Sequence, residues 1–141
     1  MKIIDILTNG RANLSFEVFP PKTDSAFDSV EAAVEEIASY RPAFMSVTYG
    51  AGGGTSKYTL DIAKNIKKLY DVPTLAHLTC VSSTRETVRA RIEDIKNAGV
   101  QNVMALRGDL TPELEGTDRS RWDYRHAIDL VRELRESGAD F

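Results

Sequence analysis

Polar and apolar positions along this chain change period at regular intervals. Leu14 to Phe19 alternates as a strand does and stops at Pro20-Pro21, neither of which can donate a ladder hydrogen bond. From about Ser25 the period lengthens to that of a helix. Phe27, Val30, Val34, Ile37 and Ala38 share one face, and Ser25-x-x-Asp28 resembles a capping box. The same switch then recurs. Phe44 to Tyr49 predicts a second strand, and the next helix carries Leu60, Ala63, Ile66 and Leu69 opposite Lys64, Lys67 and Lys68. Pro73 to Cys80 predicts a third strand, followed by a helix with Val88, Ile92, Ile95 and Ala98 in phase, capped by Ser83-x-x-Glu86 and closed by Gly99. Asn102 to Leu106 predicts a fourth strand, and after a loop to about Ser120 a helix presents Ala127, Ile128, Val131 and Leu134. Before all of this, Lys2 to Leu7 reads as a short amphipathic packing helix ending near Asn9-Gly10. Ala139-Asp140-Phe141 reads as the turn into a fifth strand.

Strands alternating with helices form βαβ units and a parallel sheet. An open doubly wound sheet and a closed (β/α)8 barrel both satisfy that description. Polar residues near the four strand ends, Glu17, Thr48, His77 and Arg107, are separated by 31, 29 and 30 residues, a regular period that suits the barrel. Alternation places Ser15 and Glu17, Ser46 and Thr48, Leu75, His77 and Thr79, and Arg107 and Asp109 on one face. The other face then holds Leu14, Phe16 and Val18, Met45, Val47 and Tyr49, Ala76, Leu78 and Cys80, and Met104 and Leu106. The expected fold is therefore α/β, a (β/α)8 barrel of the TIM-barrel type, with residues 1–141 supplying about the first four units, the N-terminal half of one domain. Half a barrel leaves two strand edges open, so a continuation of the chain or a homo-oligomer is expected to cover them.

Composition narrows the functional classes. With 141 residues, 42% hydrophobic and 28% charged, the chain is long enough for one core, and its net charge of −3 gives no basic field for nucleic acid or an anionic membrane. No apolar run approaches the ~20 residues of a membrane span, and the first residues lack a signal-peptide core, so a cytoplasmic protein is expected. One cysteine and two histidines make no zinc-like cluster.

The chemistry is expected at the strand ends, because barrels carry their active sites on that face. Glu17, between Phe16 and Val18, reads either as an edge-strand surface carboxylate or as a general acid desolvated among aromatics. Gly50 to Gly54 matches neither a Walker A loop nor G-x-G-x-x-G, which leaves a flexible turn or a backbone that approaches a ligand closely. His77 is a core histidine on base rates, lifted by its phase with Glu17 and Thr48. Arg107 and Asp109 either pair with each other or face a ligand. Cys80 is expected to pack outward against helices. Trp122 and Tyr124 read as helix-start packing, with Tyr124 also within reach of the cup mouth.

Four blocks then carry a family resemblance. Ser15-Phe16-Glu17-Val18-Phe19-Pro20-Pro21-Lys22, Ser46-Val47-Thr48-Tyr49-Gly50-Ala51-Gly52-Gly53, His77-Leu78-Thr79-Cys80 and Ala105-Leu106-Arg107-Gly108-Asp109 resemble methylenetetrahydrofolate reductase. The resemblance implies a flavoprotein that binds FAD at the C-terminal face of its barrel, takes hydride from NADH or NADPH, and reduces 5,10-methylenetetrahydrofolate to 5-methyltetrahydrofolate. It implies that Glu17 is the general acid that opens the imidazolidine ring at N10. Asp109 is implied to contact the pterin and favour the cationic intermediate, while Thr48, His77, Arg107, Gly108, Asp109 and Tyr124 are implied to contact the flavin. It also implies that residues 1–141 alone are inactive. Two alternatives remain at this stage: a phosphate-binding barrel lyase or aldolase without flavin, which lacks an inward lysine, and a non-catalytic half-barrel that self-associates.

Overall fold

The structure is a computed structural model and describes residues 1–49 and 56–141. Four strands, β1 (Ser15–Val18), β2 (Phe44–Val47), β3 (Thr74–Thr79) and β4 (Asn102–Leu106), form one parallel sheet in the order β1-β2-β3-β4. Between and around them lie α1 (Ile3–Leu7), α2 (Phe27–Ser39), α3 (Ser56–Tyr70), α4 (Arg85–Asn97) and α5 (Ala127–Glu136). No strand order reversal occurs, so right-handed crossovers put every connecting helix on the same face. That arrangement is consistent with a barrel wall, whereas a doubly wound sheet reverses its order at a switch point.

The core lies between the sheet and the helix layer. Val18, Met45, Val47, Ala76, Leu78 and Cys80 meet Val34 and Ala38 of α2, Ile62, Ala63 and Ile66 of α3, Val88, Ile92 and Ile95 of α4, and Leu130 and Leu134 of α5. Three expectations from periodicity shift here. Leu69 is 68% exposed because Ile62, Ala63 and Ile66 centre the buried stripe of α3 and Leu69 falls at its margin. Ile128 is half exposed for the same reason, since Leu130 and Leu134 centre the stripe of α5. In β4 the faces are inverted: the ladder sets Met104 beside His77 and Leu106 beside Thr79, so both apolar side chains share the face bare of helices. Val103 and Ala105 pack on the core instead. The chain leaves the strand at Leu106, and alternation read back from Arg107 and Asp109 does not survive the bend.

Helix starts also differ from expectation. A 3-10 turn, Asp24–Ala26, precedes α2, so Ser25 sits inside a turn and meets Thr23 Oγ1 at 3.1 Å, making no capping box with Asp28. Thr84, one residue after Ser83, caps α4 by accepting from the Thr87 amide at 3.2 Å. Residues 139–141 form no strand, and Phe141 packs against the core. No helix among the described residues is long and apolar enough to cross a membrane.

The N-terminal ends of the strands are sealed by α1. Ile3 and Ile6 are buried, and Asn102, at the start of β4, accepts from the Ile3 amide at 2.8 Å while donating to the carbonyls of Met1 and Thr74, each at 3.2 Å. One side chain thus joins three segments. Asn102→Ala removes the partners of two part-buried backbone groups, Ile3 N–H and Thr74 C=O, and one exposed one, and is expected to cost about 1–3 kcal/mol. Urea unfolding checks it, with a lower midpoint at unchanged slope. Lys2→Ala, which loses an exposed ion pair to Asp140, is expected to change stability by less than about 0.5 kcal/mol.

Candidate active site

The opposite ends of the strands gather the polar groups. Glu17 lies near the tip of β1, and its ladder neighbour on β2 is Ser46. The Ser46 hydroxyl donates to Glu17 Oε2 at 3.1 Å. From β3, His77 Nε2 approaches the same oxygen at 3.5 Å, near enough for Coulombic attraction yet too poorly placed to be a hydrogen bond. His77 Nε2 is therefore buried without a hydrogen-bond partner among the described residues. Glu17 itself keeps 46% of its side chain exposed. The desolvating aromatic shell expected around it is absent, because Phe16 is in register with Met45 on the helix-facing side and Phe19 is exposed.

The equal steps of about thirty residues conceal a stagger. The ladder pairs Glu17 with Ser46, 29 residues on, whereas Thr48 lies two residues nearer the rim. Val47 is in turn level with Ala76 and His77 with Met104. Thr48 is held by its amide, which donates to Val18 O at 3.0 Å, and by its carbonyl, which accepts from Thr59 Oγ1 at 2.8 Å at the start of α3.

Arg107 and Gly108 are positioned by backbone. The Arg107 carbonyl accepts from both Cys80 N at 3.2 Å and Val81 N at 2.7 Å, which ties the turn after β3 to the turn after β4. Gly108 has φ +90°, and a Cβ there would lie 2.7 Å from Val81 Cγ1 and 3.1 Å from Thr79 Cβ. Only glycine fits that bend. The Arg107 Nε–H donates to the Gly108 carbonyl at 3.0 Å. Among the described residues Arg107 and Asp109 form no ion pair with each other, and Asp109 is exposed at the rim. Thr48, His77, Arg107, Gly108 and Asp109 line one cavity of about 500 Å³, with Phe19, Val81 and Leu106 as apolar walls.

Two further residues sit elsewhere. Tyr124 is 1% exposed inside the core, with the Arg85 guanidinium 5.7 Å over its ring. Burial first, then the charge of Glu133, pushes its phenol up to about 12. Glu133 is itself buried and accepts from Arg85 Nη1 at 2.9 Å and from Arg89 Nε, so Tyr124 belongs to a clamp between α4 and α5. The structure does not bring it to the cup. Cys80 is fully buried on the helix side, where burial pushes its thiol up to about 11. Gly50 to Gly54 lies outside the described residues.

Sequence reasoning placed Ser46 on the correct face without singling it out. The signal was its spacing of 29 residues from Glu17, which matches the ladder step better than the 31 to Thr48. Met104 and Leu106 needed the register.

Comparison with known proteins gives the family of the chain. The sequence model of the family described as methylenetetrahydrofolate reductase matches residues 2–141. A relative from Zea mays named methylenetetrahydrofolate reductase (NADH) 1 is 35% identical over 140 residues, 99% of this chain and 24% of that protein. A 5,10-methylenetetrahydrofolate reductase from Pectobacterium carotovorum subsp. carotovorum is 38% identical over 129 residues, 92% of this chain and 41% of that protein. Methylenetetrahydrofolate reductase 2 of Schizosaccharomyces pombe is 33% identical over 145 residues, all of this chain and 23% of that protein. The chain spans less than half the length of these curated relatives. These matches do not favour a lyase, an aldolase or a non-catalytic half-barrel.

Gly108→Ala is expected to lose about 1–3 kcal/mol from the left-handed backbone alone, with the clash against Val81 added. Thermal unfolding measures the loss, and adding Val81→Ala, which removes Cγ1, is expected to recover only the clash. For His77, burial lowers the pKa below 6.5 more strongly than Glu17 raises it. As pH falls through about 6.5 the unfolded chain takes up a proton that the folded ring refuses, so stability falls toward acid until the folded ring also titrates. Denaturation across about pH 7.5 to 5.5 is expected to show that decline in the wild type and a shallower one in His77→Gln.

Proposed function

The chain belongs to the methylenetetrahydrofolate reductase family, and on that premise we propose that its strand-end cup takes part in reducing 5,10-methylenetetrahydrofolate to 5-methyltetrahydrofolate. NADH or NADPH is the hydride donor and FAD the resident cofactor. The observation that carries the reading is the convergence of Glu17, His77, Thr48, Arg107 and Asp109 at one end of a parallel sheet, delivered by four consecutive strands.

The residues present fit a flavin. His77 lines the cavity, and its Nε2 is a buried polar atom without a protein hydrogen bond among the described residues, which suits a heteroatom of a bound ring. Phe19, Val81 and Leu106 offer apolar surface to a flat heterocycle, and Arg107 has its Nε occupied by Gly108 while its charge remains available to a polar edge or phosphate. On this reading Thr48, His77, Arg107, Gly108 and Asp109 hold the cofactor, whose chemistry is to accept a hydride from the nicotinamide and return it to the folate. Tyr124, buried in the helix clamp, is not assigned to it.

Glu17 then acts on the folate. Its carboxyl delivers a proton to N10 as the bond from the bridging carbon to N10 breaks, and the bonding electron pair leaves with N10. The bridging carbon remains on N5 as an iminium, the acceptor of the hydride. Partial exposure suits this role, because a group that hands a proton to a ligand cannot be sealed in the core. Asp109, exposed at the rim, supplies negative charge that favours the cation electrostatically. A homo-oligomer remains part of the proposal, since the sheet face bare of helices and the open edges of β1 and β4 leave surface to cover.

The full-length protein is expected to purify with, or take up, a yellow flavin that NADH or NADPH bleaches and methylenetetrahydrofolate restores. Absence of both the flavin band and folate-dependent NAD(P)H oxidation sinks the proposal. Glu17→Gln is expected to leave bleaching by NAD(P)H intact and to slow reoxidation by folate by about a hundredfold or more. Stopped-flow absorbance of each half-reaction checks it, and equal loss in both removes the acid role.

A further inference from the structure

The Glu17 side chain is long, half exposed and rotatable, yet an acid that protonates one nitrogen must present one oxygen in one direction. Two groups converge on Oε2: the Ser46 hydroxyl at 3.1 Å and His77 Nε2 at 3.5 Å. Among the described residues nothing is bonded to Oε1. Ser46 is 7% exposed, fixed in the ladder directly beside Glu17, and its hydroxyl has no other partner among the described residues.

We propose that Ser46 is the positioning residue of this site: it anchors Glu17 by Oε2, so that Oε1 is the oxygen presented to the folate. The inference rests on Glu17 being the acid of the proposed reaction, and it adds a residue that touches neither cofactor nor substrate. Ser46 suits the task because a strand backbone with a one-carbon side chain holds its hydroxyl in few rotamers. Its place two residues below Thr48 keeps it under the cavity lining that Thr48 helps form. Without the hydroxyl, His77 is the one remaining neighbour of Oε2 among the described residues, and it makes no hydrogen bond. Glu17 then samples rotamers that turn Oε1 away, while every group assigned to the flavin keeps its place.

The full-length, flavin-loaded protein tests this by stopped-flow measurement of the two half-reactions. Ser46→Ala, close in volume, is expected to leave flavin reduction by NAD(P)H within about twofold of wild type and to slow reoxidation by methylenetetrahydrofolate roughly tenfold. Folate dissociation constants are expected to move by less than about threefold, because the loss lies in proton delivery. Ser46→Thr, which keeps the hydroxyl, is expected to hold the reoxidation rate within about threefold of wild type. The inference is overturned by a Ser46→Ala variant that reoxidises at the wild-type rate, by equal slowing of both half-reactions, or by a Thr variant as slow as the Ala variant with intact flavin reduction. Failure of the underlying reading looks different: Glu17→Gln would then reoxidise as fast as wild type, or the wild type would show no folate-dependent reoxidation.

Discussion

Parallel strands laid down in chain order, each reached by a right-handed crossover, put all the connecting helices on one side. That single constraint organises the rest. The helix-facing side becomes a conventional apolar core, dense with Met45, Val47, Ala76, Leu78 and Cys80. The other side is released from packing against helices and can hold Glu17, Ser46, His77 and Thr79. Polar groups on a doubly covered sheet would have to be desolvated on both faces, at a cost of several kcal/mol each when unpaired.

The two ends of the sheet divide labour. At the N-terminal ends of the strands, Asn102 bonds three backbone groups, two in the N-terminal segment and one at the start of β3, while Ile3 and Ile6 bury their side chains, which is a stabilising arrangement with no chemistry in it. At the C-terminal ends the same ladder delivers groups whose hydrogen bonding is incomplete among the described residues: a half-exposed carboxylate, a buried imidazole nitrogen without a partner, and a rim aspartate without an ion pair. Incomplete satisfaction costs stability in the absence of a ligand and leaves the groups available to one. The paired amides that grip the Arg107 carbonyl keep this loose chemistry on a firm frame.

Charge is treated oppositely in the helix layer. Glu133 is buried and met by two arginines, and Arg85 also lies over the Tyr124 ring, so the buried carboxylate of that clamp is paired, while the Tyr124 hydroxyl has no hydrogen-bond partner among the described residues. A tyrosine that looked able to reach the cup is thereby committed to holding α4 and α5 together. The buried charge of the clamp is thus neutralised within the helix layer, whereas Glu17 at the strand ends is left half exposed.

Much of this was legible in the chain itself. Period changes from two to 3.6 residues located four strands and their helices, since burial on one face forces that alternation, and β4 was bounded to the residue. The spacing of polar strand ends pointed to a barrel wall and to Glu17, His77 and the Arg107-Gly108-Asp109 turn, because side chains of one phase and one depth must share a rim. What remained for tertiary structure was everything that depends on neighbours. Register decided that Ser46, not Thr48, lies beside Glu17, and that Met104 and Leu106 face the bare side, because one residue of slip exchanges the two faces of a strand. Packing decided that Tyr124 is interior and Glu17 half exposed. Neither fact has a local signature, since burial is set by elements far away in sequence that happen to fold against the same spot.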